Sequence, residues 1–398
     1  MTTSAAPVTP TLKKTALNAT HRALKAKMVD FGGWDMPVEY PCPPPQRHGS
    51  VAGGPGSGGG LIAEHLAVRT SVGLFDVSHM GEIQFRGPGA LAAVQHITMN
   101  DASRLKDGQA HYSALLTPEG TFVDDILVHR LSENDYLLVV NAGTKDKDYA
   151  WIRQQVGGWP SIHLSDYSAY YSQLALQGPR ALETLQKLTK VELAAIKNYW
   201  FTWGTVAGVP NVLIARTGYS GEDGFEVYIP ADEPTTEKMW NALLDAGAEF
   251  GIRPCGLGAR NTLRLEAGMP LYGHEISDSI NVFEGGLERW LKLEKGEFIG
   301  REALLAVQAA GGPTRKIVAL EMVDRGIGRD GYQVLSLDGE PIGTVTSGSP
   351  APFLKTNIAF ALLPAAVAAG GADVIVQCRA NAVRAKQVPH PFYKRAKK

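Results

Sequence analysis

Cysteine is scarce in this chain: 398 residues hold three, Cys42, Cys255 and Cys378, far apart, odd in number and without a C-x-x-C pair. That excludes a disulfide framework and gives no sign of a zinc site, and a reducing compartment fits such usage best. Net charge is missing as well. Lys plus Arg number 39 against 40 Asp plus Glu, a formal net charge of −1. The whole-molecule field therefore offers little to a nucleic acid or a membrane surface, and any charged partner must read a local patch. No run approaches the ~18 apolar residues needed to span a bilayer. The first ten residues, Met1 to Pro10, contain no arginine and no apolar core, which argues against a secretory signal and a transit peptide. The expected location is the cytoplasm. There is no G-x-G-x-x-G flavin fingerprint after an N-terminal strand, and no Ser/His/Asp or Cys/His constellation stands out.

What is present is a 44% hydrophobic chain, long enough to need two or three cores. One stretch cannot belong to any of them. Residues 41–60 pass from Pro-rich to Gly-rich, a composition that buries too little apolar surface to offset its ordering entropy, and they read as a surface insertion. Beyond it, strands and helices interleave. Gly81–Phe85, Phe122–His129 and Tyr136–Val140 read as strands and Ala90–Thr98 as a helix. A second cycle follows with strands at Tyr171–Leu176 and Val212–Ala215, a helix at Arg180–Thr189 and a long amphipathic helix at Pro234–Phe250. From Lys316 the texture changes to short strands between turn residues, at Ile317–Met322, Gln333–Leu335, Pro341–Thr346, Ile358–Leu362 and Asp373–Gln377, which suggests a small barrel or sandwich.

Two segments concentrate ionisable groups between glycines: Arg216-Thr-Gly-Tyr-Ser-Gly-Glu-Asp-Gly-Phe-Glu226 and Gly256-Leu-Gly-Ala-Arg-Asn-Thr-Leu-Arg-Leu-Glu-Ala-Gly268. In the first, Gly218, Gly221 and Gly224 permit backbone conformations closed to other residues, and Phe225–Ile229 then alternates like a half-buried strand with Glu226 in the polar register. Pattern alone fits a solvated glutamate at a strand edge. A carboxylate in that place is also suited to paired N–H bonds from a planar heterocycle. Arg260 has two comparable readings, a salt bridge with Glu266 or another local acid and a ligand contact.

These residues resemble the T-proteins of the glycine cleavage system, and the resemblance runs from about Leu12 to the C-terminus. Gly73-Leu-Phe-Asp-Val-Ser-His-Met80, Asp124-Asp-Ile-Leu-Val128, Lys295-Gly-Glu-Phe-Ile-Gly-Arg-Glu-Ala-Leu304 and Gly343-Thr-Val-Thr-Ser-Gly348 fit the same family in the same order. The resemblance implies an α+β fold: two α+β folate-binding subdomains, residues 1–160 and 161–310, and a C-terminal antiparallel β-barrel, residues 311–398, around a central folate channel. It implies an aminomethyltransferase that moves a one-carbon unit from an aminomethylated dihydrolipoyl sulfur to tetrahydrofolate, releasing ammonia and a thiol. The implied partners are the lipoylated H-protein, with the P- and L-proteins as components of the same system, and no metal is expected.

The same resemblance implies residue roles. Asp101, in Thr98-Met-Asn-Asp-Ala-Ser-Arg-Leu105, would be the carboxylate that assists the folate amine, although by local pattern it reads as an N-cap or Asx-turn residue. Glu226 would grip the pterin with Tyr219 packed beside it, Arg260 would contact folate, Tyr393 would be a C-terminal aromatic contact, and Met80 would line the channel. His79 and His274 are given structural or pocket-lining roles. Two departures stand out: the 41–60 insertion, and Leu287-Glu-Arg-Trp-Leu-Lys292, where the family often has Gly-Trp at the positions of Glu288 and Arg289. Two other readings are a related folate-dependent demethylase and a non-enzymatic folate-binding paralogue in iron–sulfur maturation. The second typically carries a cysteine where this chain has Lys295-Gly-Glu-Phe-Ile-Gly-Arg-Glu302.

Overall fold

The computed structural model describes residues 11–41 and 59–396. Two sheets and a barrel organise it. A five-stranded sheet has the order Gln109–Leu116, Phe122–Ser132, Asp135–Val140, Gly81–Arg86, His163–Asp166. A six-stranded sheet runs Phe201–Val206, Val209–Ala215, Gly224–Pro230, Tyr171–Gln177, Gly73–Asp76, Arg253–Cys255. The closed barrel joins Arg315–Met322, Thr356–Pro364, Pro341–Ala351, Gln333–Leu335, Val374–Cys378 and Asn381–Val388.

Strand alternation sorts each sheet into two faces. In the six-stranded sheet, Leu174, Leu176, Val212, Ile214, Phe225, Val227 and Ile229 point outward into a core with Leu185, Met239, Trp240 and Leu243 of the helices Ala181–Gln186 and Glu233–Gly247. In the five-stranded sheet, Ile83, Phe85, Leu115, Ile126, Val128 and Leu138 pack outward against the helices Ala90–Ile97 and Lys145–Val156. The opposite faces meet: Ala110, Leu127 and Val139 of one sheet pack on Phe201, Leu213, Ala215 and Tyr228 of the other. The result is helix, sheet, sheet, helix.

Strand pairing crosses the expected division near residue 160. Gly73–Asp76 pairs antiparallel with Tyr171–Gln177, and His163–Asp166 pairs with Gly81–Arg86. The five-stranded unit is thus one continuous segment inserted into the six-stranded one, whose own strands come from both sides of it. Spacing along the chain showed two cycles but could not show that one strand is shared across them. Residues 272–304 add a further core, with Ile276, Val282, Leu287, Leu291 and Phe298 against Met99, Ala114, Leu116 and Phe122. The barrel docks through Ile317, Ala319, Ala351, Ile358 and Phe360 on Leu265 of the helix Leu257–Glu266. Among the described residues, no helix is long and apolar enough to cross a membrane, and Cys255 and Cys378 are buried and free.

Cys42 to Gly58 of the Pro/Gly-rich stretch, and the Met1 to Pro10 segment, lie outside the described residues. The edges of the stretch are informative. Gly60 N donates to Tyr40 O at 2.8 Å, so the chain leaves and rejoins the fold at adjacent points, and loop-closure entropy varies only slowly with the length between them. Deleting Cys42 to Gly58 should leave the melting temperature and turnover almost unchanged, as thermal unfolding and steady-state rates would check. Lost activity at unchanged stability would give the stretch a part in the reaction.

Candidate active site

The glycine-rich segment joins the strands Val209–Ala215 and Gly224–Pro230. Of its three glycines only Gly221 has a positive φ, 79°. Gly218 and Gly224 are needed for proximity instead: a Cβ on Gly218 would lie 2.0 Å from Gln177 Oε1, and one on Gly224 would lie 2.5 Å from Gln177 Nε2. Gln177 fastens the segment, donating to Thr217 O at 3.1 Å and accepting from Ser220 Oγ at 2.7 Å. Arg216 closes it by a forked pair with Asp223, 2.9 and 2.6 Å.

Held this way, the segment delivers Glu226 onto an interior strand, where it lies between Ala215 and Ala175. Glu226 is 6% exposed, so it is not the solvated strand-edge residue that alternation suggests. The polar register here faces a second sheet, not water. Burial pushes its carboxyl up, opposed by the Thr217 hydroxyl, which donates to Oε2, and by the charge of Arg260. Oε1 has no hydrogen-bond partner among the described residues. Tyr219 donates its hydroxyl to Pro270 O and offers its ring to the Arg260 guanidinium, 4.6 Å from the centroid, a cation–π contact. Arg260 faces the charges of Glu226 and Asp125 and, among the described residues, makes a direct ion pair with neither. The Glu266 partner considered for it belongs elsewhere: Glu266 Oε2 lies 2.9 Å from Arg69 Nε and 3.1 Å from His65 Nε2. Met80 packs between the inter-sheet core and the Val68–Leu263 core below the helix Leu257–Glu266.

Among the described residues, Asp101 shares no hydrogen bond or ion pair with this cluster. It caps the turn Ala102–Arg104, accepting from Ser103 N at 3.1 Å and Gln95 Nε2 at 2.8 Å and pairing with Arg104 at 3.2 Å. Its neighbours Ala102 and Leu105 belong to the outer core of the five-stranded sheet. Burial pushes the Asp101 carboxyl up, but bonds from Ser103 and Gln95 and the charge of Arg104 outweigh it and hold the group below its usual range. That is the N-cap that local pattern suggests. Tyr393 lies against the glycine-rich segment, beside Gly221 and Glu222. Its ring covers buried Arg69 at 4.0 Å and meets Phe353 edge-on, and its N–H donates to Glu266 O at 2.8 Å, so it pins the C-terminus behind the glycine-rich segment. His274 bridges to the barrel through Asp330, 3.2 Å away, while buried His79 faces the Arg260 charge.

A second carboxylate that bears on Arg260 is Asp125. On Phe122–Ser132 it shares a face with Leu127, opposite Ala114 in register, and it accepts from Tyr112 Oη at 3.1 Å and from Asn141 Nδ2 at 2.9 Å. Burial, then the neighbouring Asp124 charge, push it up to about 7 against those two bonds. Tyr219 and Arg260 both feel its charge. Tyr199 faces Glu226 and Arg289. Trp290 lies 5.1 Å from the Tyr112 ring with Arg289 stacked on it at 3.9 Å, so the departure at Leu287–Lys292 supplies an aromatic there. Asp125, Tyr112, Asn141 and Tyr199 were not singled out from the sequence. The available signal was the Asp124-Asp125 doublet inside an apolar strand, which must send one carboxylate to each face of the sheet.

The chain matches two family models, the GCVT N-terminal domain over residues 17–295 and the glycine cleavage T-protein C-terminal barrel domain over residues 315–394. The chain belongs to the glycine cleavage T-protein family. It is 64% identical to an aminomethyltransferase of Acidobacterium capsulatum across 97% of both chains, and 57% identical to one of Koribacter versatilis across 98% of this chain and 99% of that one. The crystal structure of glycine cleavage system aminomethyltransferase T from Bartonella henselae superposes with a TM-score of 0.84 at 30% identity, covering 96% of this chain and 98% of that one. The chain is accordingly an enzyme, an aminomethyltransferase of the glycine cleavage system, and its family is folate-dependent.

Proposed function

We propose that the inter-sheet chamber binds tetrahydrofolate with Glu226 at the pterin edge and Asp125 at the reacting amine, and that the one-carbon unit arrives there on an aminomethylated dihydrolipoyl arm. The observation that supports this most is the convergence of Asp125, Glu226 and Arg260, from two opposed sheets and a helix, on one space walled by Tyr112, Tyr219 and Trp290. The fit to a pterin is chemical. A buried carboxyl with one oxygen engaged by Thr217 has another to accept an aminopyrimidinone N–H, aromatic faces support a flat ring, and Arg260 offers a fixed fork of donors. When bound, tetrahydrofolate supplies the secondary amine that takes the carbon.

The chain's own part is alignment and charge. Asp125 accepts the N–H of the attacking amine, and a carboxyl brought up to about 7 is a far better proton acceptor at neutral pH than Asp101 in its cap. The sheets exclude water, and holding the two substrates in near-attack geometry supplies several kcal/mol of the barrier reduction. Leaving thiol and ammonia take up the two protons given up by the folate amines, so no residue need become covalently attached. The carrier of the arm is the lipoylated H-protein, with the P- and L-proteins completing the system, and the setting is the cytoplasm.

Purified chain given tetrahydrofolate and aminomethylated lipoyl carrier should form 5,10-methylenetetrahydrofolate and ammonia in equal amounts. Glu226→Ala should weaken tetrahydrofolate binding by about 1–3 kcal/mol, the cost of leaving ring donors unpaired, as read by calorimetry. Turnover of a methylated substrate such as dimethylsulfoniopropionate in place of the aminomethyl donor would move the reading to a demethylase.

A further inference from the structure

On the outer face of the five-stranded sheet, directly behind the chamber, lies a second pair of carboxyl groups, Asp124 and Asp148, both fully buried. Asp124 is well supplied with donors: Asn141 Nδ2 at 2.9 Å, Asn141 N at 3.3 Å and Thr144 Oγ1 at 2.7 Å. Asp148, in the first turn of the helix Lys145–Val156, is poorly supplied, since the Thr144 hydroxyl that faces it donates to Asp124. Neither of its oxygens receives a hydrogen bond among the described residues, Lys147 Nζ stands 3.6 Å from Oδ1, and the Asp124 carboxyl faces it within hydrogen-bonding reach. Two carboxylates buried in contact cannot both be ionised. Asp148, without such donors, keeps the proton and donates it across to Asp124. Burial and the Asp124 charge push Asp148 up to about 10, in keeping with that division.

Asn141 connects this pair to the chamber. Its Nδ2 reaches Asp124 Oδ1 on the outer face and Asp125 Oδ1 on the inner face, both at 2.9 Å. With both amide hydrogens committed, Asn141 cannot flip without facing its carbonyl to a carboxylate. Asp125 is then held at Oδ1 by Asn141 and at Oδ2 by Tyr112.

We propose that Asp148 and Asp124 are positioning residues for aminomethyl transfer: a buried acid and carboxylate that fix the Asn141 amide and, through it, the orientation and charge of Asp125. This rests on the reading of Asp125 as the carboxylate at the reacting amine. The two members act differently. The Asp124 charge raises Asp125, whereas protonated Asp148 carries no charge and acts only as a donor. The other groups that face Asp125 are Tyr112, Asn141, Tyr219 and Arg260; those that face Asp148 are Asp124, Thr144 and Lys147.

The test compares kcat against pH, tetrahydrofolate affinity and melting temperature for Asp148→Val, Asp148→Asn, Asp124→Asn and Asp125→Asn. Asp148→Val removes the donor and should lower kcat about tenfold with little change in folate affinity. Asp148→Asn restores a donor and should recover most of that loss. Asp124→Asn should cost about ten- to a hundredfold in kcat and move the acid limb of the remaining activity down by about one pH unit, because the negative neighbour of Asp125 is gone. Wild-type kcat in Asp148→Val, an Asp148→Asn no better than Asp148→Val, or an unmoved acid limb in Asp124→Asn would each overturn the proposal. Should Asp148→Val fail to fold, the limb of Asp124→Asn decides alone. Wild-type turnover in Asp125→Asn would instead overturn the role given to Asp125, a failure separate from that of the buried pair.

Discussion

Asp125→Asn should lower kcat by about 10²- to 10⁴-fold, the usual contribution of a positioned proton acceptor, while tetrahydrofolate still binds, because the amide keeps the shape of the side chain. Asp101→Asn, by contrast, should change turnover little and cost about 1 kcal/mol of stability as a weakened cap. The pair of variants decides between two carboxylates that differ in address. Asp101 caps the turn Ala102–Arg104, whose Ala102 packs in the outer core of the five-stranded sheet, and Asp125, like Glu226, bears on Arg260. Steady-state assays with saturating carrier and folate would read both. Full activity in Asp125→Asn, or its loss in Asp101→Asn alone, would reverse the assignment.

The pH dependence follows from the same group. Asp125 is raised to about 7, by burial first and then by Asp124, so turnover that needs its charged form should fall as pH drops below that value. The stability contribution has the opposite sign. A carboxyl raised in the folded state favours folding most at low pH and loses that contribution as pH rises through about 7. With Asp125 in the role proposed, the site would keep a charge where folding disfavours one, a common compromise at functional sites.

Periodicity and turn chemistry placed most of the strands and the long helices correctly, because each sheet has one face buried under helices and shows it as alternation: Phe225, Val227 and Ile229 are outward and Glu226 is not. What alternation cannot say is what lies against the other face. A polar residue opposite an apolar one reads as solvated, and for Glu226 and Asp125 the facing surface is a second sheet that arrives from distant sequence. The strand Asn381–Val388, which closes the barrel, alternates too weakly to separate from its surroundings. Asp101 and Asp125 show the same limit in the site. Both sit in segments that fit the family, and only the side of the sheet to which each is carried separates the cap from the carboxylate proposed for the reaction. Arg69 was invisible for a related reason, since a helical arginine ordinarily reaches water, and this one meets its acid from a helix almost two hundred residues away.

That arginine gives the largest stability effect expected outside the chamber. Arg69 is fully buried at its side chain, as is Glu266, and the two are 2.9 Å apart. Arg69 also donates to Ser220 O at 2.7 Å, Leu263 O at 3.1 Å and Glu222 at 3.0 Å, and Tyr393 covers its face. Glu266 in turn takes His65 and the Phe353 N–H. The helices Leu61–Thr70 and Leu257–Glu266, the glycine-rich segment, the barrel and the C-terminus thus share one charged knot. Removing one partner of a buried pair leaves the other's desolvation uncompensated, which costs about 3–5 kcal/mol, and Glu222 retains enough of the pairing to put Glu266→Gln near the lower figure. Burial pushes the Glu266 carboxyl up, but His65 and Arg69 outweigh it and hold it below its ordinary value. A depressed acid contributes stability that is present above its unfolded pKa and lost as pH falls through the folded one. Wild type and Glu266→Gln should therefore differ most near neutral pH and converge in acid below about 4. Denaturant midpoints across that range would show it, and equal midpoints at pH 7 would mean that the knot is held by its packing and not by its charge.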